Sequence, residues 1–167
     1  VAAVAAAADA AARLAREHRA DAHLLDARFL DLVGEILGDL VVLADEFPAG
    51  ARFLLLALDG YRGEDGRLDR MRTGFHVPDE YVAAISRADP GRYLWAASVH
   101  PYREDALERL RAAAAAGARA VKWIPYFMGI DPASPRCRPY YRELRRLRLP
   151  LITHGGWQHE LVDGGQQ

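Results

Sequence analysis

Apolar residues are spaced in two ways along this chain. Over residues 1–47 they recur at three- and four-residue steps, through Leu24, Leu25, Phe29, Leu30, Leu32, Val33, Ile36, Leu37, Leu40 and Val41. An alanine-rich start, Val1 to Ala8, precedes them and runs on to about Arg19. That period predicts helix in pieces. After the break Glu46-Phe47-Pro48-Ala49-Gly50 the apolar residues gather instead into short unbroken runs, each closed by a polar residue and a Gly or Pro. Arg52–Leu58 closes on Asp59-Gly60, and Arg92–Val99 on His100-Pro101. Ala120-Val121-Lys122-Trp123-Ile124 is stopped by Pro125, and Pro150–Thr153 closes on His154-Gly155-Gly156. Runs of this length and flanking read as buried strands.

The segments between them read as loops and helices. Tyr61 to Val77 is rich in Gly and charge and is expected to be a loop. Pro78-Asp79-Glu80 opens a helix to about Ala88, with proline and acids where the helix dipole favours them. Arg103-Glu104-Asp105 starts a second helix, whose alanine-rich end stops at Gly117. A loop is expected from Pro125 to Pro139 and a helix from about Tyr140 to Arg148. Strand, loop, helix, strand is the signature of an α/β fold, a parallel sheet covered by helices. The division expected is a helical N-terminal segment, 1–47, and an α/β portion, 48–167.

Composition narrows the partners. A chain of 167 residues with 51% hydrophobic residues has the length of one domain and enough apolar mass for a core. A formal net charge of -1 gives no reason to expect nucleic acid or an anionic membrane surface. The alanine-rich start is too short for a membrane span and lacks the basic start of a signal peptide. The single cysteine, Cys137, excludes an internal disulfide and fits a reducing, cytoplasmic compartment.

Candidate chemistry stands at the strand ends. Lys122 is the only lysine among 22 lysine and arginine residues, so wherever a surface charge suffices this chain uses arginine. A desolvated amine can lose its proton and act as a base, or be carboxylated to a metal-binding carbamate; a guanidinium can do neither. The plain alternative is a lysine snorkelling out of a core. His154 before two glycines is a metal-ligand candidate, or a histidine satisfied by a backbone carbonyl. Asp59 and His100 line the same ends as candidate catalytic residues, with a turn-forming Asp-Gly pair and a structural histidine as alternatives. Arg103 and His100 are candidates for recognising a substrate carboxylate, and His76, in the loop where a lid would be, is a candidate for binding substrate. Trp95 and Trp123 fall on the strand face opposite Lys122 and His100, where packing under helices is expected. His18, His23 and His159 are expected to face solvent.

Four phrases, Ser98–Arg103, Gly117–Pro125, Met128–Pro132 and Leu149–Gly156, together resemble the amidohydrolase superfamily, in its amidohydrolase-related branch of metal-dependent hydrolases. The resemblance implies a (β/α)8 barrel, of which this chain would hold about strands 2 to 5, so that it reads as a fragment. It implies a divalent metal, most plausibly zinc, held on strand 1 by His-x-His, on strand 4 in some members by a carboxylated lysine, on strands 5 and 6 by histidines and on strand 8 by an aspartate. His154 falls at the strand 5 position and Lys122 at the carbamate position. No His-x-His occurs in the sequence, and Trp157 and Gln158 stand where relatives often carry a carboxylate. The activity implied is hydrolysis of a small-molecule amide, ester or lactone by a metal-activated water. The same branch includes non-oxidative decarboxylases, and a half-barrel without a complete metal shell could equally be a non-catalytic module. Two ligands leave most of a coordination sphere to water, so this chain alone is expected to bind metal loosely and to be inactive. Open sheet edges favour self-association, and with it a homo-oligomer.

Overall fold

The computed structural model describes residue 44 and residues 46–155. The N-terminal helical segment expected over 1–47 therefore lies almost wholly outside the described residues, as do Trp157, Gln158 and His159. Eight elements follow in order: β1 (Phe53–Leu56), α1 (Asp79–Ala88), β2 (Tyr93–Ala97), α2 (Ala106–Ala115), β3 (Ala120–Trp123), α3 (Pro125–Met128), α4 (Cys137–Leu147) and β4 (Leu151–Thr153). The strands form one sheet in the order β1-β2-β3-β4. β2 pairs in parallel with β3, Ala96 opposite Ala120, and β3 with β4, Lys122 opposite Ile152. Phe53 N–H donates to Arg92 O (2.8 Å) and Ala57 N–H to Ala96 O (3.0 Å), the constant offset of a parallel pair. The α/β architecture is thus a four-stranded parallel sheet with flanking helices, consistent with part of a (β/α)8 barrel.

The chain falls into two compact units. One holds the residues up to Leu55 together with Glu80–Leu94. In it α1 buries Tyr81, Val82, Ala83 and Ile85, and Ser86 Oγ donates to Tyr93 O at 2.8 Å. Phe53 meets Phe47 edge-on, with ring centroids 5.2 Å apart.

The other unit, Leu56–Asp79 and Trp95 onward, holds the sequence-predicted site residues. Its core is centred on Trp123, which is fully buried with its ring 4.8 Å from Tyr140 and 5.9 Å from Tyr141 of α4. Trp123 thus lies on the helix side of β3, and the two-residue alternation of a strand turns Lys122 to the opposite face. Trp95 is buried as well. Gly117 closes the alanine-rich end of α2 in the left-handed region, φ 92°, as its position after the last apolar residue predicts.

Two expectations need correction. The stretch Pro125–Pro139 is not all loop: α3 occupies its start, and α4 begins at Cys137 rather than about Tyr140. Pro125 stops β3 but also opens α3, and Pro139, the expected end of the loop, lies in the first turn of α4, where a helix does not use the N–H that proline lacks. The second run of apolar residues is cut short at Ala97, because the N–H groups of Ser98 and His100 leave the strand ladder for carboxylates.

Candidate active site

The carboxyl ends of β3 and β4 bring together the two residues singled out for chemistry. Lys122 and Ile152 are register partners, and His154 N–H donates to Trp123 O at 3.2 Å, one step beyond the end of β4. The Lys122 Nζ and His154 Nδ1 atoms lie 3.0 Å apart, within hydrogen-bond distance. Lys122 is only 7% exposed, whereas His154 is open to solvent. Burial lowers the pKa of the Lys122 amine from its ordinary value.

Asp59 and His100 form a second cluster. Asp59 Oδ1 accepts Gly60 N–H (2.8 Å) and Oδ2 accepts His100 N–H (3.0 Å), while Arg62 and Arg103 stand 3.6 Å from the carboxylate. The His100 ring is fully buried. Its Nε2–H donates to Met128 O at 2.8 Å, and its Nδ1 accepts Tyr102 N–H at 3.1 Å. Both ring nitrogens are therefore used by backbone, and burial drives the ring's pKa down to about 4. Met128 O also accepts Arg62 N–H at 3.1 Å, so α3 anchors the loops that follow β1 and β2.

Arg103 is held by Asp105 through two hydrogen bonds, 2.7 and 2.9 Å, in addition to its approach to Asp59. It also lines a polar cleft of about 470 Å³ with Asp65, Arg67, Glu104 and Arg136, where both signs of charge are present. His76 is half-buried next to Val77, whose backbone pairs with Leu58.

The residue that sequence reading missed is Ser98. Its hydroxyl accepts Asp59 N–H (2.9 Å) and donates to Lys122 O (2.9 Å), joining the cluster at Asp59 to the strand that carries the lysine. A serine two residues before a strand-end histidine carries no signal of its own, so only the packing exposes it.

A family model described as amidohydrolase matches residues 20–166. The chain belongs to the amidohydrolase family. No match was found among curated proteins or among solved structures. Membership supports hydrolase chemistry and a divalent-metal cofactor at the level of the family. The residues present fit such an ion in part. An imidazole nitrogen is an ordinary zinc donor and a carbamate formed on a lysine would offer oxygen, and the two side chains that could supply them meet at 3.0 Å. A zinc site takes at least three protein ligands, however, and among the described residues no group of three His, Cys, Asp or Glu side chains gathers to hold an ion. The described residues therefore do not by themselves make up a zinc site. Among the described residues no helix is long and apolar enough to cross a membrane.

Proposed function

We propose that this chain contributes strands 2 to 5 of a metal-dependent amidohydrolase barrel that cleaves an amide, ester or lactone bond in a small molecule, with Lys122 and His154 as two of the donors to the ion. The observation that carries the reading is the 3.0 Å contact between these side chains at the carboxyl ends of adjacent parallel strands, where α/β barrels keep their chemistry. When bound, the ion supplies a polarised carbonyl and a water of lowered pKa. The chain's own part is to present a buried amine and an open imidazole on one face. Burial of Lys122 favours its neutral form, the form that can become a carbamate. His154 keeps one ring nitrogen toward the lysine and leaves the other for a ligand or the substrate.

In this reading Asp59 and His100 brace the mouth, because their polar atoms are already committed to backbone and arginine partners. Arg103 serves the same frame through Asp59 and Asp105. His76 belongs to the loop over the mouth.

Purified protein supplied with a divalent ion and offered a panel of amides, lactones and esters tests this, alongside Lys122→Ala and His154→Ala. Any hydrolysis observed is expected to fall by roughly 10-fold or more in each variant, since even a supporting partner of a metal ligand is worth that much. Hydrolysis that survives both substitutions would remove the assigned roles.

A further inference from the structure

At the carboxyl end of β2 the backbone ladder gives way to side chains. The last register pair of β2 and β3 is Ala97 with Val121. Ser98, next in line, is 6% exposed and sends its N–H to Asp79 Oδ1 at 2.7 Å. Its hydroxyl has one hydrogen, and that hydrogen is committed to Lys122 O, because Asp59 N–H already occupies the oxygen as acceptor. We propose that Ser98 is a positioning residue for the Lys122–His154 pair, with Asp79 holding the Ser98 backbone in place; the proposal rests on the reading of that pair given above.

The argument turns on what aims a lysine. Four rotatable bonds separate the Lys122 backbone from Nζ, so the direction of the Cα–Cβ bond decides whether the amine reaches His154. That direction is set by the peptide planes around Lys122. On the β4 side the chain one peptide further out in each direction is held by Val121 N–H to Pro150 O (2.9 Å) and His154 N–H to Trp123 O (3.2 Å). On the β2 side the Lys122 carbonyl is fixed by the Ser98 hydroxyl. Alanine at position 98 would strand two buried groups, Asp59 N–H and Lys122 C=O, and free that carbonyl to turn toward another donor. If Ser98 served only stability, its loss would lower Tm and leave the geometry of the pair alone.

The single lysine makes the distinction measurable. Lysine labelled with ¹⁵N yields one Nζ signal, read at fixed pH in four proteins: wild type, His154→Ala, Ser98→Ala and the double variant. The shift caused by His154→Ala is expected to shrink at least twofold in the Ser98→Ala background and to persist in a Ser98→Thr background, which keeps the hydroxyl. An equal His154-dependent shift in both backgrounds overturns the proposal, whatever happens to Tm, and so does a wild-type signal that ignores His154→Ala. Should Ser98→Ala fail to fold, Ser98→Cys, of similar volume and weak as a donor, carries the same two outcomes. Failure of the functional reading would appear as Lys122 and His154 signals that do not respond to added zinc, with these shifts intact.

Discussion

His100 shows how a residue chosen for its chemistry can be claimed by the fold. Its ring is neutral, fully buried, and hydrogen-bonded at both nitrogens to backbone. The folded state lowers its pKa from 6.5 to about 4, so between those values the unfolded chain binds the extra proton. The stability this histidine contributes is complete above pH 6.5 and is lost as pH falls toward 4, an effect on the order of 3 kcal/mol. Urea denaturation between pH 7 and pH 4 should show that fall, and His100→Gln should flatten it. A slope unchanged by the substitution would mean the ring is not held as described. Lys122 is the opposite case: its burial was legible because a lone lysine within an apolar run has little other reason to be there. Ser98 was illegible, since nothing local distinguishes a serine that sews strand ends together from one in a loop.

At the scale of elements, strands were read well because an apolar run closed by a polar residue and Gly or Pro leaves few alternatives. Helix starts were read less well. Pro125 and Pro139 mark first turns here, yet the same residue also ends helices, and the sequence does not say which side of it the helix lies on. The loop after β1 is legible as rich in Gly and charge, but not which glycine its path depends on. Gly66 adopts φ 77°, and a Cβ there would stand 2.2 Å from Tyr102 O, a backbone atom that cannot swing aside. Gly117 also has positive φ, 92°, but has open space around it. Gly117→Ala should therefore cost about 1–2 kcal/mol, for the left-handed conformation alone. Gly66→Ala should cost more, because the clash adds to a similar conformational term. Thermal melts of the two variants check the order, and equal losses would contradict the close approach of this loop to the segment after β2.

At the scale of the molecule, the family match and the parallel sheet agree on an amidohydrolase architecture; the alternation of strand and helix pointed to the parallel sheet, and the four phrases to the family. The metal is less complete. The resemblance supplied an expected ligand set; the pairing of β3 with β4 brings Lys122 and His154 together, and among the described residues no group of three His, Cys, Asp or Glu side chains gathers. The account thus depends on those two side chains acting on one ion. A zinc titration of the protein followed by NMR tests this directly, using the single Nζ signal of ¹⁵N-lysine and the His154 ring signals identified by their loss in His154→Ala. Both sets of signals should move along one isotherm, loose in affinity, and Lys122→Ala should weaken the response at His154. Movement of one set without the other, or of neither, would contradict a shared site.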